Sequence, residues 1–247
     1  MRLTRIPVDA ALAPGARVAL PEDAAAHLQR VLRLQPGDAC VLFNGDGHDY
    51  EARLLAVGKR GCEAEVVSVR AAAAESPLRI VLLQGIARGE KMDWILQKAT
   101  ELGVAGIVPV SSERSEVRLD ATRAEKRLAH WRGIVASACG QSGRGLLPAV
   151  SAPQSLAEAL ESPPLPAPGA RLLLDPEAPA SIGAMPAPGG ACVLAVGPEG
   201  GWSPRDRAQL EAAGFTGLRL GPRILRTETA GIAAIAALQA RFGDLGE

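Results

Sequence analysis

The sequence predicts two domains: a small β-rich domain, then an α/β domain built on a mainly parallel sheet with helices on both faces. Three observations carry this reading. Residues 1–72 hold short, partly alternating runs broken by turn residues, with one helical stretch. The run Ala71-Ala72-Ala73-Ala74-Glu75-Ser76-Pro77 then reads as a linker. From 77 to 247, continuous apolar runs of strand length alternate with segments of helical period.

In the first domain, 24–34 reads as the helix and Pro36-Gly37-Asp38 as the start of a strand. Val41-Leu42-Phe43 runs into Asn44-Gly45-Asp46-Gly47, a strong turn signal. The stretches 51–57 and 63–69 alternate apolar with polar, as half-buried strands do. A small barrel-like domain fits.

In the second domain, Ile80-Val81-Leu82-Leu83 reads as a strand buried on both faces. Met92, Ile95, Leu96, Ala99 and Leu102 follow helical spacing, and Gly103 fits the C-terminal stop. Ile107-Val108-Pro109-Val110 is the next strand. Thr122-Arg123-Ala124-Glu125 has the pattern of a capping box and opens a helix with Leu128, Trp131, Val135 and Ala138 on one face. The Pro/Gly-rich stretch 163–169 reads as a surface loop. Leu172-Leu173-Leu174 and 192–196 are two more buried strands, and 217–221 is a short one. Ser203-Pro204-Arg205-Asp206 reads as a helix start, with Ser as N-cap and Pro at the first helical position. The Ala-rich stretch 229–242 reads as a buried terminal helix.

Composition narrows the function. Lys plus Arg and Asp plus Glu each number 27, so the formal net charge is zero. A protein that coats nucleic acid non-specifically is far more basic, so any such contact must come from local patches. Cys40, Cys62, Cys139 and Cys192 form no CxxC pair, and His27, His48 and His130 are scattered with no HExxH. No metal site is expected, and the cysteines read as buried thiols. The start lacks the apolar run of a signal peptide, and no stretch reaches the ~18 apolar residues of a membrane span. The expected location is cytoplasmic.

Ligands of α/β sheets sit beyond the carboxyl ends of the strands. Three loops qualify. Gly197-Pro198-Glu199-Gly200-Gly201 allows close backbone approach, and equally suits a tight turn feeding the next helix. Leu220-Gly221-Pro222-Arg223-Ile224-Leu225-Arg226-Thr227-Glu228-Thr229-Ala230 sets charges among apolar residues. Arg88-Gly89-Glu90-Lys91 follows the first α/β strand and, alone, suits a solvated turn. There is no GxGxxG, no GxxxxGK[ST] and no GxSxG, so a dinucleotide fold, an NTPase and a serine hydrolase are not signalled. Residue chemistry by itself does not name the ligand.

Several of these segments, in this order, resemble the RsmE-type 16S ribosomal RNA uridine-N3 methyltransferases of the SPOUT superfamily. They are Arg88-Gly89-Glu90-Lys91-Met92-Asp93, Gln97-Lys98-Ala99-Thr100-Glu101-Leu102-Gly103-Val104, Ser112-Glu113-Arg114, Gln141-Ser142-Gly143-Arg144, and the two loops at 197–201 and 220–229. His27-Leu28-Gln29-Arg30-Val31-Leu32-Arg33 also matches. The chain departs from the pattern at Ser137 and Gly140, where acids are common, and at Asp206, where glutamate is usual.

The resemblance implies a PUA-like RNA-binding β-barrel over 1–72 and a SPOUT domain with a trefoil knot over 77–247. It implies S-adenosyl-L-methionine as cofactor, a homodimer, and N3 methylation of uridine 1498 of 16S rRNA, on the assembled 30S subunit. It places the cofactor among Leu174, Gly197, Pro198, Glu199, Gly200, Leu220, Gly221, Ile224 and Leu225, so that Gly197→Val would clash with it. Uracil N3 is a poor nucleophile until its proton leaves, and negative charge then spreads onto the flanking carbonyl oxygens. Arg226 is expected to stabilise that charge, with Glu199 or Glu228 accepting the proton or orienting an arginine. Arg30, Arg33, Arg88, Lys91, Arg114 and Arg144 are the expected RNA contacts.

Overall fold

The computed structural model describes residues 3–58, 61–117, 120–161 and 169–246. Apart from Gly169, the expected loop at 163–169 lies outside them. The chain divides into two compact units: residues 1–75 with 136–147, and residues 76–135 with 148–247.

The first unit is a five-stranded sheet with strands β1 (Arg5–Pro7), β2 (Arg17–Ala19), β3 (Ala39–Phe43), β4 (His48–Gly58) and β5 (Gly61–Ala71), and one helix, α1 (Glu22–Arg30). The strand order is β1-β3-β4-β5-β2. β1 and β3 are parallel, and the other pairs are antiparallel. Gly45 and Gly47, both at φ 90°, make the turn from β3 to β4. β4 slips register twice against β5, between Glu51 and Ala52 and between Leu54 and Ala56. Such irregularities bend a strand. Ile6 on β1 and Val18 on β2, at opposite edges of the sheet, then share one core with Leu28 of α1, Leu42, Leu54 and Val66. α1 ends four residues before the expected limit, since Arg33 takes a left-handed φ of 54° that no helix continues.

Residues 136–147 complete this unit. The buried Arg5 guanidinium donates to the carbonyls of Cys139 (2.8 Å) and Arg144 (3.1 Å), and stacks over the Phe43 ring. Its Nη2 also meets Asp49 Oδ1 at 2.5 Å. At Gly140 a Cβ would stand 3.1 Å from the Arg5 carbonyl oxygen, so this position has little room for the acid common in the family resembled above.

The second unit is a seven-stranded sheet whose strands all pair in parallel. Its strands are β6 (Arg79–Gly85), β7 (Val104–Ser111), β8 (Ala149–Val150), β9 (Gln154–Ser155), β10 (Ala170–Leu174), β11 (Ala191–Val196) and β12 (Thr216–Leu218). The order is β12-β10-β11-β6-β7-β8, with β9 also on β7. Its helices are α2 (Glu90–Glu101), α4 (Leu156–Glu161), α5 (Pro204–Ala212), α6 (Thr227–Phe242) and residues 121–135 of α3 (Ala121–Ser142), whose remainder belongs to the first unit. One face of the sheet, with Val81, Leu83, Val108, Leu173 and Val193, packs on Leu156 of α4, Leu210 of α5, Trp202 and Phe215. α2 and α6 contact each other; α6 also packs on β11 and α2 on β7.

Pro109 sits inside β7 without loss, because its missing N–H would face the gap between β8 and β9. β8 pairs with Gly106 and Ile107, and β9 with Val110 and Ser111, on either side of it. α3 begins earlier than the Thr122 pattern suggests: Asp120 caps it, its carboxylate accepting from Arg123 N at 2.8 Å. α5 has the expected capping box, with Ser203 Oγ accepting from Asp206 N and Asp206 Oδ2 accepting from Ser203 N, each at 3.0 Å. β12 stops at Leu218, three residues short of the expected end, before Gly221 turns the chain at φ 136°.

Candidate active site

Beyond the carboxyl ends of β10, β11 and β6, the loops of the second unit enclose a cavity of about 560 Å³. Its walls include Leu174, Val196, Gly197, Pro198, Glu199, Gly200, Leu220, Gly221, Ile224 and Leu225. Arg88, Lys91, Arg114, Arg226 and Glu228 also line it. Every site residue expected in the second unit thus meets in one place. Arg30 and Arg33, exposed in the first unit, and Arg144 do not line it.

Arg144 has a structural occupation. Its side chain is 11% exposed and its Nη2 lies 2.5 Å from Glu75 Oε2, within the first unit. That partly buried ion pair, and the carbonyl that Arg5 grips, tie the 136–147 segment to the β domain. Arg144 thus has an internal partner in Glu75.

Glycines let the loops approach. At Gly85 a Cβ would stand 2.5 Å from both Pro198 N and Cδ, so the end of β6 touches the 197–201 loop directly. At Gly197 a Cβ would meet the Gly201 backbone at 3.0 Å. A side chain at 197 would thus press on its own turn. At Gly221 a Cβ would have no neighbour within 4 Å, and its bare backbone lines the cavity.

The charges fall into two groups. Some are tied. Lys91 Nζ and the Arg88 N–H both reach Glu199 Oε1, each at 3.1 Å. Burial raises the Glu199 pKa, but hydrogen bonds from its own and the Arg88 backbone and from Lys91 outweigh it, leaving the pKa below the usual carboxylate range. At the rim, Arg207 pairs with Asp175 and holds its pKa low. Arg88 Nη1 meets Glu116 at 2.7 Å, but both side chains are more than half exposed and the pair is weak. Arg114 Nη1 donates to the Gly200 carbonyl at 3.0 Å.

Others are free. Arg223 and Arg226 form no ion pair among the described residues. Arg226 is the N-cap residue of α6, yet its side chain makes no cap bond. Glu228, in the first turn of α6, keeps Oε2 buried with no hydrogen-bond partner. The cavity therefore offers unpaired guanidinium groups and one carboxylate oxygen without a partner.

A second clasp holds the neighbouring loop. Glu113 Oε2 accepts from Ser203 Oγ at 2.5 Å, fixing the Ser112-Glu113-Arg114 segment beside the start of α5. Sequence reasoning missed Asp175, Trp202 and Arg207; only the fold brings them here. The buried thiols have pKa values pushed up by burial, to about 12 for Cys40 and Cys192, and are chemically quiet. No group of three or more metal-ligating side chains occurs among the described residues. No helix among them is long and apolar enough to cross a membrane.

A β domain of this kind followed by a parallel-sheet domain with ligand loops at its strand ends matches two family models. Residues 74–239 match an RNA methyltransferase domain, and residues 20–67 match an RNA methyltransferase PUA domain. The chain is an RNA methyltransferase. More narrowly, it belongs to the ribosomal RNA small subunit methyltransferase E family. It is 32% identical over 248 aligned residues to the member from Buchnera aphidicola of Schizaphis graminum, covering 99% of this chain and 98% of that one. It is 31% identical to the Bacillus subtilis member, covering 86% and 85%. Among solved structures, the Neisseria gonorrhoeae member bound to S-adenosyl methionine is 43% identical, with a TM-score of 0.88 over 99% of this chain and 100% of that one. A Legionella pneumophila protein described as a methyltransferase, also with S-adenosyl methionine bound, is 36% identical with a TM-score of 0.92, over 99% and 100%.

Proposed function

We propose that this enzyme transfers a methyl group from S-adenosyl-L-methionine to N3 of one uridine of 16S rRNA, uridine 1498, on the assembled 30S subunit. The observation that carries the reading is the cavity, with its apolar walls, bare glycine backbone and unpaired arginines at one mouth. The cofactor fits it. The volume is within the ~300–1,000 Å³ usual for such ligands. Leu174, Val196, Leu220 and Leu225 offer apolar walls for a purine, and Gly197 and Gly221 offer backbone donors and acceptors. Two structural relatives hold that molecule.

When bound, the cofactor supplies a methyl group already activated on a sulfonium. The chain's own task is to position the uracil and manage its N3 proton. Glu228 is the proton acceptor in this reading, because one of its oxygens has no partner, whereas Glu199 is occupied and held acidic by Lys91 and the Arg88 backbone. Arg226 sits two residues away and places an unpaired positive charge where the uracil oxygens gain negative charge. Arg88, Arg114 and Arg223 meet RNA phosphate at the mouth, while Lys91 and Glu199 brace the loop. Arg30 and Arg33 add phosphate contacts from the β domain. A C-terminal trefoil knot and a homodimer belong to the same reading. So does a cytoplasmic location, where the substrate is.

The test is a methylation assay with labelled S-adenosylmethionine on 30S subunits lacking the modification, naked 16S rRNA and bulk tRNA, with mass-spectrometric mapping. N3-methyluridine in the 30S sample alone is the expected result. Label in tRNA, or tight cofactor binding with no transfer to any of the three, would overturn the substrate assignment.

A further inference from the structure

Gln84 stands out as a polar side chain at 0% exposure near the end of an apolar strand. Its Nε2 donates to the Gly85 carbonyl at 2.9 Å and to Thr227 Oγ1 at 3.1 Å. Thr227 Oγ1 in turn lies 2.5 Å from the Gly197 carbonyl. The proton directions follow from the partners. Both chain ends are carbonyl oxygens and can only accept, so the threonine hydroxyl donates to Gly197 and receives from the amide NH₂ of Gln84. The relay has one sense and no spare proton.

Its anchor points are the end of one strand and the two main cavity loops. Gln84 and Gly85 close β6, Gly197 follows β11, and Thr227 opens α6 between Arg226 and Glu228. We infer that Gln84 and Thr227 are positioning residues for the methyl-transfer site. They fix the Gly197 carbonyl on the Thr227 hydroxyl, and set the α6 N-terminus so that Arg226 and Glu228 line the cavity together. This inference rests on the cavity being the S-adenosylmethionine site.

The physical reason is the expense of unmade bonds. Removing the Thr227 hydroxyl leaves a buried carbonyl and a buried N–H without partners. Gly197 lines the cavity, so a shift of its unpaired peptide alters the wall that the ligand meets. A packing role alone predicts something else: lower stability with unchanged affinity.

The experiment measures S-adenosylmethionine binding by calorimetry on the full chain, with thermal unfolding alongside. Thr227→Val keeps the shape and deletes the hydroxyl; its dissociation constant is expected to rise roughly tenfold or more. Thr227→Ser is expected to recover most of that loss. Gln84→Glu adds a pH signature. Once ionised, the introduced carboxyl has no proton to donate, so affinity is expected to fall as pH rises through its pKa, unlike that of the parent. If the parent binds no S-adenosylmethionine, the cofactor reading fails and this one with it. If the parent binds and Thr227→Val binds equally well, or Gln84→Glu shows the parent's flat pH profile, the positioning role is wrong while the cofactor reading stands.

Discussion

Lys91 Nζ lies 3.1 Å from Glu199 Oε1, joining α2 to the 197–201 loop across 108 residues of chain. Because the same oxygen also accepts from the Arg88 backbone, Glu199 is stabilised in its charged form and its pKa is lowered on folding. The sign follows by linkage. Its contribution is full above the unfolded-state carboxylate pKa, and it is lost as pH falls through the lower folded value. Glu199→Gln is therefore expected to be less stable than the parent at neutral pH, with the two converging in acid. Urea midpoints measured from neutral pH down to about pH 3 would show this convergence; parallel curves would contradict it.

Arg226 and Glu228 should separate binding from chemistry. Arg226 is exposed and free of ion pairs among the described residues, so Arg226→Ala should stay folded while losing on the order of 10²–10³ in rate. Glu228→Gln removes the proposed proton acceptor and should cost roughly 10²–10⁴, with cofactor affinity nearly kept. Single-turnover rates and calorimetry on each variant decide the matter. Parent-like turnover in either would remove that residue from the mechanism.

Gly85 tests the loop geometry without touching a charged group. An alanine methyl there would press on the Pro198 ring nitrogen and Cδ at 2.5 Å. Since the chain on both sides is packed, Gly85→Ala should cost about 1–3 kcal/mol of stability and weaken cofactor binding as the loop shifts. Denaturant unfolding gives the first number and calorimetry the second. An unchanged midpoint would mean that the contact relaxes freely.

Trp94, on α2, is 59% exposed, a large apolar surface to leave in water. The homodimer reading gives it a use. Trp94→Glu is expected to shift the protein toward monomer in analytical ultracentrifugation while its thermal midpoint stays near that of the parent monomer unit. A dimer of undiminished strength would place the interface elsewhere.

Much of this was legible because local chemistry suffices for it. Ser203-Pro204-Arg205-Asp206 states its own helix start, and the apolar run of β11 states its own burial. Asn44-Gly45-Asp46-Gly47 likewise announces its turn. The start of α3 was misread because two residues, Asp120 and Thr122, could both cap, and only the backbone geometry chooses Asp120. Gln84 was invisible for a different reason. One polar residue in a strand means nothing until Thr227, 143 positions away, is placed beside it. Arg144 is similar: its ion-pair partner, Glu75, lies 69 positions back. Long-range partners are set by topology, which spacing along the chain does not encode.

The division of the chain has a consequence for the order of synthesis. The β domain takes residues 136–147 as well as the first 75. Chains are made from the N-terminus, and domains fold as units during that process. When residue 75 has been added, Arg5 still lacks the Cys139 and Arg144 carbonyls that receive its guanidinium, and Glu75 lacks its arginine. The N-terminal domain must therefore wait, incompletely capped, until residues 136–147 have been added. A fragment cut at the apparent linker would carry a buried arginine short of its acceptors, so the chain's first domain is finished only after its second has begun.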